Sequence, residues 1–143
     1  MDPQIWGPVL WTILEYTAAR ARSAYYRPLF LEFLYTLKHI IPCEKCRNSY
    51  NILTRFLPPE DFASNEIRWV WFLHDTINDK LGKKKYPFDK LLANLPTRAK
   101  AIRSASQWYT WAKTGTLTRF PNGSTDRERV LPRHIKLLEL LFK

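Results

Sequence analysis

The sequence predicts an all-α fold. Apolar residues recur at steps of three and four along most of the chain, which is the spacing of one face of an α-helix. Only 4 of the 143 residues are glycine, whereas Trp, Tyr and Phe number 6, 7 and 8. Few glycines and many aromatic rings suit closely packed helices, and no set of strands with alternating residues stands out. At this length one domain with its own core is expected.

Four helices are expected in the first 82 residues. They are predicted at residues 3–22, 27–40 and 43–56, and from Ser64 or Asn65 to Leu81. Pro42 ends the second helix and favours the first turn of the third, because proline is accepted there and not inside a helix. Ser64 or Asn65 caps the fourth helix, and Gly82 is a good residue to end it.

The rest of the chain is also expected to be mainly helical. A short helix is predicted around residues 88–94 and a longer one around 97–113. Pro121-Asn122-Gly123 predicts a β-turn or hairpin within residues 115–125. Pro132 is expected to open a last amphipathic helix, whose apolar positions are Ile135, Leu138, Leu141 and Phe142.

The positive charge is concentrated in the C-terminal third. The net charge is +10, of which residues 96–143 carry +7 (10 Lys/Arg, 3 Asp/Glu) and residues 1–95 carry +3 (13 and 10). Such a segment is typical of a solvated surface or of a site for an acidic partner, nucleic acid or anionic cofactor. Nucleic acid is not favoured, because the chain has no zinc-finger spacing, RNA-recognition signature or glycine-rich phosphate loop. We predict a domain at 1–95 and a basic, aromatic extension at 96–143, packed on or beside it.

No targeting or membrane segment is predicted. Residues 1–10 lack the basic start and apolar run of a signal peptide. Charged residues, Glu15, Arg20, Glu32 and Lys38, interrupt every candidate for a spanning helix. We therefore expect a cytoplasmic protein without a membrane partner.

The only two cysteines, Cys43 and Cys46, form a Cys-x-x-Cys pair. A helix that begins near Cys43 offers unpaired backbone N–H groups that favour a thiolate. The three-residue spacing places both sulfurs in its first turn, close enough to form a disulfide. A zinc site is disfavoured, because it would need two more ligands. The pair indicates redox chemistry; two incidental buried thiols are the alternative.

The fourth helix carries two polar residues, His74 and Asn78, within its predicted apolar stripe. The other members of that stripe are Ile67, Val70, Trp71, Ile77 and Leu81. A buried polar group without a partner costs about 1–3 kcal/mol, so both side chains need partners. A core histidine bonded to a backbone carbonyl is one interpretation. A ring ligand with polar edges, its pyrophosphate near Lys80 and the lysines at 83–85, is the other.

Three motifs follow one another between residues 5 and 88. They are Trp6-Gly7-Pro8-x-x-Trp11, Pro42-Cys43-Glu44-Lys45-Cys46 and Trp69-x4-His74-x3-Asn78-x2-Leu81-Gly82-Lys83. In order and spacing they resemble the Erv/ALR family of FAD-dependent sulfhydryl oxidases, particularly the short forms of large DNA viruses. The resemblance implies a four-helix bundle with a short fifth helix, here followed by an additional C-terminal helical segment.

The resemblance also implies the activity and its residues. The protein would oxidise thiols of substrate proteins to disulfides and pass the electrons from the cysteine pair to FAD and then O2, giving hydrogen peroxide. Cys46 would be the flavin-proximal sulfur, and Cys43 would meet the substrate. FAD would be held by Gly7, Trp11, Glu15, Arg20, Trp71, His74, Asp75, Ile77, Asn78, Lys80 and Lys83. The partners implied are a small dithiol or a protein with its own exposed Cys-x-x-Cys, and a second copy of the chain in a homodimer.

Several positions depart from the family pattern. Pro8 stands where Arg is usual, Glu15 where His is usual and Asp75 where Asn is usual. Arg20 is expected to compensate for the missing arginine. The extra cysteines of cellular members are absent, so the substrate must reach Cys43 directly.

Two other classes of function compete with the oxidase. A thioredoxin-like reductase would carry its cysteine pair after a strand, and no strand is predicted there. A basic interaction or nucleic-acid-binding module would have a redox-active pair but no flavin. A yellow purified protein would distinguish the oxidase from both.

Overall fold

The computed structural model describes residues 1–118 and 125–143, without the Thr125 side chain. The regular elements of these residues are all helices, joined by short loops. The helices are α1 (Pro3–Arg20), α2 (Tyr26–Ile40), α3 (Glu44–Phe56), α4 (Glu66–Lys80), α5 (Phe88–Ala93), α6 (Arg98–Lys113) and α7 (Thr125–Leu141), with a 3-10 helix at Pro59–Phe62. The predicted all-α fold is confirmed. The turn predicted at Pro121-Asn122-Gly123 lies outside the described residues.

The first helix is capped by Asp2, whose carboxylate accepts a hydrogen bond from the Gln4 amide at 2.9 Å. Proline at the start of α1 needs no intrahelical partner, which suits this position. The helix buries Leu10, Ile13 and Leu14 along one stripe. This stripe packs α1 against both α4 and α6.

Three hydrogen bonds hold α2, α3 and α4 together. The Tyr50 hydroxyl donates to the Leu34 carbonyl at 2.6 Å, which joins α3 to α2. The Trp69 indole donates to the Leu57 carbonyl at 2.8 Å, which joins α4 to the end of α3. The buried Glu66 carboxylate accepts from Arg27 at 2.8 Å, which joins the beginnings of α4 and α2. The first two bonds hold the middle and the end of α3, the helix that begins directly after Cys43, against its neighbours.

The C-terminal segment shares the hydrophobic core of the first helices. Buried residues from α6 onward, Trp108, Ala112, Leu117, Leu137, Leu138 and Leu141, belong to the same cluster as Ile13, Phe33 and Leu37. At its centre, His134 stacks on Phe33, accepts a hydrogen bond from the Trp108 indole at 2.9 Å and lies 2.7 Å from the Thr36 hydroxyl. The boundary at residue 95 stays a prediction, but the core is continuous across it.

The last helix begins earlier than predicted, at Thr125 instead of Pro132. The later start was predicted because proline favours the first turn of a helix. Pro132 instead lies inside α7 with its ring exposed. Asp126 and Glu128 stabilise the true first turn through the helix dipole. Within the described helices, none is long and apolar enough to cross a membrane.

Candidate functional site

The two cysteines are joined by a disulfide at the beginning of α3. Their Cα atoms are 5.2 Å apart, and both side chains are half-buried against the core. Cys43 is the N-cap residue, and its sulfur accepts a hydrogen bond from the Cys46 amide at 3.2 Å. The predicted bridge at a helix N-terminus is therefore present, and the sulfurs are not two separate thiols.

The short connection between α2 and α3 is tightly bonded. The Cys43 amide donates to the Ile41 carbonyl at 2.9 Å, and the buried Arg47 guanidinium donates to the same carbonyl at 3.0 Å. Pro42 cannot continue α2, because it lacks a backbone N–H. The connection therefore holds the first turn of α3, and with it both sulfurs, in one orientation.

Three of the predicted cofactor residues meet where α1 packs on α4. The rings of Trp11 and His74 stack with centroids 4.0 Å apart and planes 9° apart. Glu15, one turn after Trp11, places a carboxylate oxygen 3.4 Å from His74 Nδ1. All three side chains are half-buried. His74 therefore faces a carboxylate and a ring at the edge of the core, which differs from a core histidine bonded to a backbone carbonyl.

Two polar atoms near these residues in the sequence are buried without a hydrogen-bond partner among the described residues. They are one carboxylate oxygen of Asp75 and the indole nitrogen of Trp6. Leaving a buried polar group unpaired costs about 1–3 kcal/mol. A ligand that donates to Asp75 would remove this cost. Gly7 also has open space where a side chain would begin, with no atom within 4 Å.

The end of α4 leaves its lysines in solvent. Gly82, with φ of 69°, adopts the left-handed conformation that ends many helices. The Lys83 amide then donates to the Asn78 carbonyl at 2.8 Å. Lys80 is the last residue of the helix and Lys83 follows its end, and both are exposed. They form a positive terminus that suits phosphate groups.

The buried face of α4 differs from the predicted stripe. Trp69 and Leu73 are 1% and 2% exposed, whereas Leu81 is 62% exposed. Ile67 and Val70 are buried as predicted. The remaining members, Trp71, His74, Ile77 and Asn78, are half-buried at its edge. This position leaves them able to touch a ligand.

Trp71 and Arg20 are held by other partners. The Trp71 indole donates to the Tyr86 carbonyl at 2.6 Å, and the Arg68 guanidinium lies 5.0 Å from its ring. Arg20 donates to the hydroxyls of Tyr16 and Tyr26 at 2.8 and 3.1 Å. It also lies about 13 Å along α1 from Trp11. The structure therefore does not bring Arg20 to the Trp11–His74 pair.

The residues of this region fit a flavin nucleotide by their chemistry. Trp11 and His74 offer ring faces, Asp75 offers an unpaired acceptor, and Lys80 and Lys83 offer charge for a pyrophosphate. Because Trp11 and His74 already contact each other, a planar ligand between them would require them to separate. A flavin ring would therefore either separate Trp11 from His74 or stack on the outer face of one of these two rings.

A second feature, which the sequence did not reveal, is a cleft of about 650 Å³ along α3. It is lined by Tyr35, Lys38, His39, Glu44, Arg47, Asn48, Asn51, Thr54, Arg55, Pro58, Asp126 and Arg127. These residues come from α2, α3, the loop after α3 and the first turn of α7. The one indication of the cleft in the sequence is a row of polar residues at helical spacing along α3. Such a row is usually a solvent-exposed face of a helix.

Comparison with known proteins identifies one family. The sequence model of the Erv1 / Alr family matches residues 6–98, which is about two thirds of the chain. No curated protein and no solved structure matches. The matched range contains the Cys43–Cys46 disulfide and the contact of Trp11, Glu15 and His74.

Proposed function

The chain belongs to the Erv1/Alr family of sulfhydryl oxidases, and from this we propose that it is an FAD-dependent thiol oxidase that makes disulfides in substrate proteins. The observation that carries the proposal is the half-buried Cys43–Cys46 disulfide at the N-terminus of α3. Viral origin and a homodimer, both suggested by the resemblance, rest on the motifs alone.

Cys43 is proposed to receive the substrate. A substrate thiolate attacks Cys43 Sγ, the Cys43–Cys46 bond breaks, and Cys46 leaves as a thiolate. The second substrate thiol, once deprotonated, attacks the substrate sulfur of the mixed disulfide, so that Cys43 leaves and the substrate disulfide forms. The Cys46 amide points at Cys43 Sγ from 3.2 Å and stabilises the charge that develops there. Two electrons then reside on the cysteine pair.

The residues of α1 and α4 are proposed to hold the cofactor that reoxidises this pair. When bound, FAD supplies the chemistry that moves two electrons from the dithiol to O2 and yields hydrogen peroxide. Trp11 and His74 would pack on its rings, Asp75 would accept a hydrogen bond from it, and Lys80 with Lys83 would neutralise its pyrophosphate. Glu15 orients His74 through its ring nitrogen.

The decisive experiment is to purify the protein and test it with dithiothreitol. We expect a yellow protein with a flavin absorption band that consumes O2 and releases hydrogen peroxide. A colourless protein that gains no activity when FAD is added would contradict the proposal and favour a basic interaction module.

His74→Ala is expected to lower FAD occupancy while the helices stay folded. The substitution removes the ring that stacks on Trp11 and leaves Glu15 without its partner. Flavin absorbance per protein measures the effect, and circular dichroism tests the fold. His39→Ala is the matched control, because His39 is also partly buried but lies on α2. Equal FAD affinity in both variants would show that His74 does not contribute to FAD binding.

A further inference from the structure

We propose that the cleft along α3, whose wall begins at Glu44 next to Cys43 in the chain, binds an extended, acidic segment of the substrate protein and thereby presents the substrate thiol to the disulfide. This inference rests on the proposed oxidase function and specifies its substrate. The cleft is the one defined above by residues of α2, α3 and α7.

The position of the cleft links it to the disulfide. Glu44 and Arg47, which line it, directly follow Cys43 and Cys46 in the chain. The Arg47 amide donates to the Cys43 carbonyl at 2.9 Å. A segment lying in the cleft would therefore pass next to the first turn of α3, where the sulfurs are.

The length of the cleft suits an extended peptide. Its α3 wall runs from Glu44 to Arg55, a distance of about 16 Å along the helix axis. About five residues of an extended chain cover this distance. Exposed Glu44, Asn48 and Arg55 leave the wall open to solvent, as a groove for part of a larger molecule requires.

The charge of the cleft favours an acidic occupant. Lys38, Arg47, Arg55 and Arg127 line it against two carboxylates, those of Glu44 and Asp126. Burial lowers the pKa of Arg127, and the nearby charge of Arg47 lowers it further. A negatively charged segment placed in the cleft would be attracted by this excess of cations.

A polar atom in the cleft suits a peptide backbone. The side-chain oxygen of Asn51 is buried and has no hydrogen-bond partner among the described residues. If the Asn51 side chain turned toward the cleft, a backbone N–H of the bound segment would donate to this oxygen. Charge and hydrogen bonding thus both indicate an acidic polypeptide.

The C-terminal segment supplies part of this cleft through Asp126 and Arg127. These two residues have opposite formal charges, so the segment forms part of the wall of the cleft without adding to its net charge. Deleting residues 115–143 is a poor test, because it would remove Leu137, Leu138 and Leu141 from the core. A point substitution on the exposed rim avoids this difficulty.

The test compares Arg55→Glu with Arg103→Glu in the full-length, FAD-loaded protein. Both arginines are exposed, so the change in net charge is the same, but Arg103 lies on α6 and outside the cleft. The probe is a fluorescent Ser-x-x-Ser peptide flanked by Asp and Glu, with a Lys-flanked version for comparison. Serines replace the cysteines so that binding is measured without reaction.

We expect Arg55→Glu to weaken binding of the acidic peptide about tenfold or more, and Arg103→Glu to change it by less than about twofold. Oxidation of dithiothreitol should be unchanged in Arg55→Glu, whereas kcat/KM for the acidic Cys-x-x-Cys peptide should fall with binding. Added salt should weaken binding to the unsubstituted protein, because it screens the attraction.

Several results would overturn the inference. They are equal binding of acidic and Lys-flanked peptides, equal effects of the two substitutions, or displacement of the peptide by inorganic phosphate at low millimolar concentration. The last would identify a simple anion site. Absence of dithiothreitol oxidation in the unsubstituted protein would instead refute the oxidase proposal, and the binding measurement would still decide whether the cleft takes the peptide.

Discussion

Cys43→Ser is expected to reduce dithiol oxidation to the background rate while the protein stays folded and keeps its FAD. The substitution removes the sulfur that receives the substrate, and Cys46, the one cysteine that remains, has no partner with which to form the disulfide again. The disulfide closes a very short loop, so its loss should change the stability of the fold little. Oxygen consumption measures the activity, flavin absorbance measures the FAD content, and thermal unfolding measures the stability of the fold.

Cys46→Ser is the matched variant, because it breaks the same disulfide and leaves Cys43 in place. We expect it to be equally inactive in turnover, but its Cys43 thiolate should attack the disulfide of an oxidised substrate peptide, form a mixed disulfide and release the other peptide sulfur as a thiolate. Mass spectrometry of the adduct identifies the sulfur. If Cys43→Ser forms the adduct instead, through Cys46, the two roles are reversed.

The features that the sequence predicted well depend on local chemistry. Proline at position 42 and the spacing of Cys43 and Cys46 were enough to predict the start of α3 and the disulfide there. Gly82 likewise predicted the end of α4, because only glycine readily adopts its positive φ. The family could be recognised from motifs for the same reason, since each motif is confined to one helix or turn.

The features that the sequence predicted poorly depend on packing between distant residues. The buried face of α4 includes Trp69 and Leu73 because α1 and the end of α3 meet it there, which periodicity within α4 could not show. The cleft has the same origin, because residues of α2, α3 and α7 come together to line it. Arg20 donates to Tyr16 of α1 and Tyr26 of α2, contacts that the sequence did not show, and its expected role at the cofactor stays a prediction.

The buried histidine of α7 should make the protein unstable in acid. His134 is fully buried, and burial lowers its pKa from 6.5 to about 3. Its Nε2 accepts from the Trp108 indole, so Nδ1 carries the proton and donates to the Thr36 hydroxyl, which in turn donates to the Phe33 carbonyl at 2.7 Å. A second proton would face the indole N–H and have no acceptor. The folded protein therefore keeps His134 neutral.

This pKa difference sets the sign and size of the pH dependence. Above pH 6.5 the histidine is neutral in both states and contributes nothing to the pH dependence. Between pH 6.5 and about 3 the unfolded state binds a proton that the folded state does not, so the free energy of unfolding falls as the pH falls. The loss approaches about 1.4 kcal/mol per pH unit. From pH 7 to pH 5 this residue alone should cost about 2 kcal/mol, a large part of the 5–15 kcal/mol typical of a domain.

His134→Gln should separate this effect from the other groups that titrate. The variant is expected to be less stable at pH 7, because it loses the ring that stacks on Phe33, but to lose about 2 kcal/mol less between pH 7 and pH 5. His39→Gln is the control: burial also lowers the pKa of His39, but its side chain is only half-buried, so its removal should flatten the pH dependence less. Urea unfolding at several pH values measures all three proteins. An identical pH dependence in the unsubstituted protein and His134→Gln would mean that His134 binds its proton equally well in the folded and unfolded states, which would contradict the buried hydrogen-bond chain that joins α2, α6 and α7.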